Sequence, residues 1–257
     1  MKQFIVDAFT DTVFKGNQAA VCVTDRWLSE ELMMNIAREN MFSETAFTVK
    51  EDDTYRLRWF TPGGEIDFCG HATLAAAFVL FGFYEQESES IVFKTAKGSF
   101  TAKRRGELIE MDFHAYAFEH IEITDRMIEA LGAIPLAAYR DRDIMFVLRD
   151  EDEVRYLQPD LELLSQFDCA CIAVTAKGIE YDCISRVFAP RYGINEDPVT
   201  GSAHCMIAPY WSRRLGKESI TAYQASARTG VLYCEVCGDR VNISGRAVLF
   251  SAAEIMI

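Results

Sequence analysis

Two stretches of this chain repeat one another, and a duplicated chain is constrained to fold as two copies of one unit. Arg58-Trp-Phe-Thr-Pro62 matches Arg186-Val-Phe-Ala-Pro190, and Cys69-Gly-His-Ala-Thr73 matches Thr200-Gly-Ser-Ala-His204. In each copy the Gly-x-Ala opens a helix that ends at a glycine, Gly82 or Gly216. Beyond these, Ser90-Ile-Val-Phe93 and Ser219-Ile-Thr-Ala222 each start a strand. Arg105-Gly-Glu-Leu-Ile-Glu-Met111 and Cys237-Gly-Asp-Arg-Val-Asn-Ile243 each read as a turn into a strand. Identities are few, and it is the shared order of elements that argues for duplication.

The expected fold class is therefore α+β, with two pseudo-symmetric lobes, each wrapping strands around one central helix. The N-terminal lobe is expected over residues 1–118, completed by the last strand at 246–257, and the C-terminal lobe over 119–245. Equivalent helix N-termini would then face each other across a cleft, a usual place for a small molecule. Unsatisfied amides and the helix dipole make such ends favourable for a carboxylate.

Composition narrows the partner. A net charge of −13 over 257 residues argues against nucleic acid and against an anionic membrane surface. No apolar run approaches membrane-spanning length, and the opening Met-Lys-Gln-Phe-Ile-Val-Asp-Ala-Phe alternates like a strand rather than a signal peptide. The eight cysteines lie mostly in apolar, strand-like runs and read as reduced thiols in a cytoplasm. Cys234 and Cys237 form a C-x-x-C, but no second pair is spaced to complete a zinc site. Phosphate-binding glycine loops and a G-x-S-x-G elbow are absent. No metal and no cofactor are expected, and the partner is a small carboxylated metabolite.

The stretch Asn195–Cys205 has the character of such a site. Pro198 biases Asp197 away from the helical region, and the small residues Thr200, Gly201 and Ser202 leave amides free at a helix start. Glu44 sits among Met41, Phe42, Ala46 and Phe47. Burial there would raise its pKa and suit it to move protons near neutrality. Plainer structural readings exist for each: an exposed turn carboxylate for Glu44, a helix-end histidine for His71, a helix cap for Asp197. Two thiols flanking a substrate carbon is another possibility, but Cys69 aligns with Thr200, and Cys205 falls one position beyond the matched segment. Cys69, His71, His204 and Cys205 do not form a usual metal-ligand pattern.

These residues carry a resemblance. Ser43-Glu-Thr-Ala-Phe47, Arg58-Trp-Phe-Thr-Pro62, Cys69-Gly-His-Ala-Thr73 and Glu196-Asp-Pro-Val-Thr-Gly-Ser-Ala-His204 resemble the phenazine-biosynthesis isomerase (PhzF-like) family. Asp7-Ala-Phe-Thr10 and Gly16-Asn-Gln-Ala-Ala-Val-Cys22 fit it too, with Gln18 where that family usually has proline. The resemblance covers most of the chain. It implies a diaminopimelate-epimerase-like fold, each lobe a strongly curved, mostly antiparallel sheet around its helix, with the active site between lobes. It also implies a cofactor-independent isomerase, often a homodimer. By that likeness Glu44 is the general acid/base, assisted by His71 and Asp197. Gly70, His71, Ala72, Thr200, Gly201 and Ser202 would hold the substrate. Pro209, inside the second helix, departs from helical expectation and costs about 3 kcal/mol or forces a kink.

Three functions follow as expectations. The first is an isomerase moving a proton on a small carboxylate by way of Glu44. The second is an amino-acid-type epimerase or racemase using Cys69. The third is a non-catalytic binding or interaction protein that retains the cleft.

Overall fold

A computed structural model describes residues 1–257 and divides them into two compact units, Met1–Asp112 with Ser244–Ile257, and Phe113–Ile243. Unit 1 contains β1 (Lys2–Ala8), β2 (Asn17–Thr24), α1 (Glu30–Asn40), β3 (Thr45–Glu51), β4 (Thr54–Thr61) and β5 (Gly64–Ile66). It continues through α2 (Gly70–Phe83), β6 (Ser90–Thr95), β7 (Gly98–Arg105) and β8 (Leu108–His114), which leads out of it. Unit 2 contains β9 (Glu119–Ile121), α3 (Asp125–Leu131), β10 (Ala137–Arg140), β11 (Ile144–Val147), α4 (Glu151–Tyr156) and α5 (Leu161–Ser165). Then come β12 (Ile172–Lys177), β13 (Cys183–Ala189), β14 (Ile194–Asp197), α6 (His204–Leu215), β15 (Ser219–Gln224) and β16 (Gly230–Cys237). β17 (Arg240–Gly245) leads back to unit 1, which β18 (Ala247–Glu254) completes by pairing antiparallel with β1.

The duplication is visible strand by strand. In unit 1, β2 runs parallel to β3, β3 antiparallel to β4, β4 antiparallel to β5 and parallel to β6, and β6 antiparallel to β7. In unit 2 the same sequence of pairings joins β11 to β12, β12 to β13, β13 to β14 and β15, and β15 to β16. The matched arginines also do the same work. Arg58 forks onto Glu65 of β5 at 2.6 Å for both bonds, and Arg186 forks onto Glu196 of β14 at 2.7 and 3.0 Å. Each guanidinium lies 5.1 Å from the ring centre of the phenylalanine two residues on, Phe60 or Phe188. A bidentate pair fixes both distance and angle, so each pins a short strand to its neighbour.

The central helix α2 is buried on every side, as a helix of Leu, Ala, Val and Phe without a polar face must be. It packs on β1, β2 and β3. Gly245 permits part of that packing, because a Cβ there would lie 2.4 Å from the Phe9 ring and 3.0 Å from Leu74. Helix α1 follows the expected pattern, with Ser29 accepting from the Leu32 amide at 3.2 Å.

The second helix departs from expectation at its start. Regular α6 begins at His204, and Gly201–Ala203 form a tight turn in which the His204 and Cys205 amides bond to Gly201 and Ser202 carbonyls, both at 3.0 Å. Pro209 sits within α6 and is buried. A proline removes the donor that would reach the carbonyl four residues back. That carbonyl, of Cys205, instead accepts the Tyr116 amide at 2.9 Å. The hydrogen bond lost by the helix is replaced by one from another segment of unit 2.

Candidate active site

In unit 1, three side chains from separate stretches meet at the start of α2. Glu44 immediately precedes β3, which the parallel β2 holds in register. Cys69 is the residue before α2 and makes no side-chain capping bond, so the helix's first amides have no internal acceptor there. His71 is the second residue of the helix. Glu44 Oε2 lies 3.1 Å from His71 Nε2, and both side chains are buried, the residues being 7 % and 6 % exposed. Asn17, the first residue of β2, places Nδ2 3.1 Å from His71 Nδ1. Cys69 Sγ lies 3.4 Å from Nδ1 and 3.9 Å from Nε2.

Burial reverses the simple expectation for Glu44. Desolvation alone raises its pKa, but the charge and hydrogen bond of His71, with bonds from Ser43 and Cys69, outweigh it and hold the carboxyl below its usual range. For His71, burial acts to lower the pKa, and the neighbouring Cys69 and Glu44 more than offset it and raise it well above the ordinary value. The two shifts run in opposite directions, Glu44 toward its ionised form and His71 toward its protonated one. Burial and the charge of Glu44 push the Cys69 thiol up to about 11, so it stays protonated.

Glu44, Cys69 and His71 also have the donor types of a metal site, with one ligand atom each within 4.8 Å of the others. Their directions do not fit a single ion. The carboxylate approaches Nε2, whereas the thiol is nearer Nδ1, which Asn17 already occupies. An ion bound at Nε2 would lie on the side of the ring away from Nδ1, and Sγ would have to swing around to reach it.

A chain of polar contacts backs this cluster. Cys22 Sγ donates to Gln3 Oε1 at 3.7 Å, Gln3 Nε2 to Asn40 Oδ1 at 3.0 Å, and Asn40 Nδ2 to Thr45 Oγ1 at 3.0 Å. It fixes the strand entrance on which Glu44 stands. Asp67, which precedes α2, is exposed and pairs instead with Lys97 at 3.2 Å. A hollow of about 450 Å³ also opens in unit 1, lined by residues including Trp27, Arg58, Trp59 and Asp67. Glu44, Cys69 and His71 are not among those residues.

Unit 2 builds its own constellation around the residues before α6. Asp197 Oδ2 accepts from Thr200 Oγ1 at 2.5 Å. Gln224, fully buried on β15, closes the turn: its Oε1 accepts the Thr200 amide at 2.9 Å, and its Nε2 donates to the Asp197 carbonyl at 2.7 Å and to Thr200 Oγ1 at 3.2 Å. Ser226 Oγ donates to the Pro198 carbonyl at 2.7 Å. Gly201 is buried and Ser202 half-buried at the tight turn before α6. His204 is not available for chemistry. Its Nδ1 donates to the Thr200 carbonyl at 2.8 Å, and burial pushes its pKa down to about 4, so the ring is neutral.

Asn17 and Gln224 contact these clusters and were not singled out by sequence reasoning. Asn17 follows Gly16, whose φ is +66° and where an added Cβ would lie 2.2 Å from the Ala8 carbonyl oxygen, so no side chain fits. That glycine marks a tight turn but does not reveal where the next side chain goes. Gln224 had no signal beyond being polar in an otherwise apolar strand.

Comparison with known proteins agrees with this geometry. The profile of the phenazine biosynthesis-like protein family matches residues 6–253. The chain belongs to that family. An uncharacterised isomerase of Pseudomonas aeruginosa is 46% identical over 252 residues, covering 98% of this chain and 97% of the relative. A mouse phenazine biosynthesis-like domain-containing protein is 38% identical, with 96% of each chain covered. The crystal structure of a PhzF-family protein from Enterococcus faecalis superposes with a TM-score of 0.98 at 48% identity, covering 100% of this chain and 99% of that one. Within the PhzF-like fold, then, the constellations before α2 and α6 occupy matched positions of a duplicated unit.

Proposed function

We propose that this PhzF-like protein is a cofactor-independent isomerase that moves a proton on a small carboxylated substrate. The observation that carries the reading is the buried Glu44–His71 pair at the start of α2, 3.1 Å apart. Glu44, ionised, takes a proton from carbon and returns it to another position of the same molecule. His71 stabilises the carboxylate before transfer and keeps its own proton while Glu44 carries the one taken from carbon. The uncapped amides of Gly70, His71 and Ala72 favour a substrate carboxylate, as anions are favoured at helix N-termini. In unit 2, Asp197, Thr200, Gly201 and Ser202 are assigned substrate contacts. Relatives of closely similar sequence carry the name isomerase, which supports the reaction class. The Cys69 thiol, held protonated, is a poorer candidate for a base than Glu44.

Solvent exchange tests this even while the substrate is unidentified. The protein is incubated in D₂O with pools of small carboxylates, and deuterium entering any of them is read by mass spectrometry. Wild type is expected to label at least one compound, and Glu44→Gln to label it about 10²–10⁴ times more slowly while keeping its fold. Undiminished labelling by a folded Gln variant would rule out the role of Glu44.

A further inference from the structure

Asp143 is a charged group of unit 2 that the reading above leaves unused. It directly precedes β11 and is 1 % exposed. Parallel pairing sets Ile144 opposite Ile172 and Met145 opposite Ala173, so Asp143 stands beside Cys171. The Cys171 amide donates to Asp143 Oδ1 at 3.2 Å. Ala173 is opposite Val187, and Val187 is opposite Asp197. Paired residues share a face, and every second residue along a strand returns to it. Asp143, Cys171 and Asp197 therefore lie on one face of the unit 2 sheet.

The second oxygen of Asp143 is the anomaly. Oδ2 is fully buried and has no hydrogen-bond partner. The adjacent Arg142 donates to Tyr116 Oη at 2.9 Å and makes no hydrogen bond to Oδ2. Asp197, by contrast, has Thr200 on its Oδ2. A buried carboxylate oxygen left bare is costly, and each such exception calls for an explanation, of which a bound partner is one. Burial pushes the Asp143 pKa up to about 6, against the opposing pull of Arg142 and of the Cys171 amide. At neutral pH the group is still mainly an acceptor.

We propose that Asp143 is a ligand-binding acid of unit 2, whose Oδ2 accepts a hydrogen bond from a donor, a protonated nitrogen or a hydroxyl, carried by the same small carboxylate. This rests on the substrate contacts proposed above for Gly201 and Ser202, taken here as contacts to a carboxylate, and adds to them that the ligand carries a second polar group. An unsubstituted carboxylate would leave Oδ2 as it is.

Three probes of one skeleton test it: acetate, glycolate and glycine. Carboxyl ¹³C resonances of aspartate are titrated in wild-type protein, with Asp143 recognised by its midpoint and by its loss in Asp143→Asn. The Gly201 and Ser202 amides are followed in the same samples. All three probes are expected to shift those amides. Glycine or glycolate, but not acetate, is expected to lower the Asp143 midpoint by about half a pH unit or more. Response to glycine alone assigns the donor as nitrogen, and response to glycolate as hydroxyl. If the amides respond while Asp143 ignores both donor probes, or follows acetate equally, the proposal is overturned and the carboxylate reading stands. If no probe moves the amides, both fall. The wild-type titration decides the matter even if the Asn variant does not fold, and the deuterium result for Glu44 is independent of either outcome.

Discussion

A buried carboxyl can be held either side of its ordinary pKa, and this chain does both. Glu44 is held low because the charge and hydrogen bond of His71 outweigh its burial, while Asp143 is pushed up to about 6 because burial outweighs Arg142 and the Cys171 amide. The two therefore have opposite linkage to folding. A carboxyl whose pKa is raised on folding favours the folded state while protonated and disfavours it as pH climbs. For Asp143 that loss develops between the ordinary 3.8 and about 6. Replacing it with Asn removes the titration. Relative to wild type, Asp143→Asn is expected to gain about 2 to 3 kcal/mol across that window, read as the difference in denaturant unfolding free energy at either end. A difference that stays flat with pH would contradict the raised value. Residue chemistry of this kind is only half legible in the sequence. The apolar neighbours of Glu44 correctly imply its burial, but burial alone gives the wrong sign for its pKa, and only the position of His71 corrects it.

Among the elements, the segment from β14 to α6 depends most on a residue remote in sequence. Gln224 on β15 meets the Thr200 amide and hydroxyl and the Asp197 carbonyl, so one side chain sets the turn that carries Asp197. Gln224→Ala would leave a buried amide and carbonyl unpaired, with an expected cost of about 2 to 4 kcal/mol. Chemical denaturation reads that cost, and protection of the Thr200 amide against hydrogen exchange is expected to fall with it. Gln224→Glu, which retains an acceptor for the amide but loses the donor, is expected to fall between the two. The repeat made the two central helices and the strands that follow each legible in the sequence. Elements such as α4, α5, β5, β9, β10 and β14 are too short to show a period. The repeat also put the start of the second helix too early, because small residues such as Gly201 and Ser202 suit a tight turn as well as a helix.

At the scale of the molecule, the repeat seen in a few pentapeptides proves to be a repeat of pairing order, down to the forked Arg–Glu contacts of Arg58 and Arg186. Unit 1 is closed by the last strand of the chain. β1 is flanked by β2 on one side and by β18 on the other, with Lys2 opposite Glu254 and Ala8 opposite Ala247. Deleting Ala247–Glu254 is expected to destabilise unit 1 by several kcal/mol, at about 1 per ladder hydrogen bond lost. It would also bare the β1 edge to pairing with other chains. Light scattering would report the self-association, and a soluble monomer of unchanged melting temperature would contradict the expectation.

That closure also sets an order of events during synthesis. Phe113–Ile243 is one continuous stretch and has everything it needs as soon as its last strand leaves the ribosome, whereas the unit begun first lacks an edge until Glu254 has been added. Domains fold as units while the chain is still growing. The half translated second is thus the first to be finished. Until then Glu44 and His71 wait in an incomplete sheet, and a ribosome stalled between α6 and β18 holds a nascent chain in which that buried pair is already made but its sheet is not yet closed.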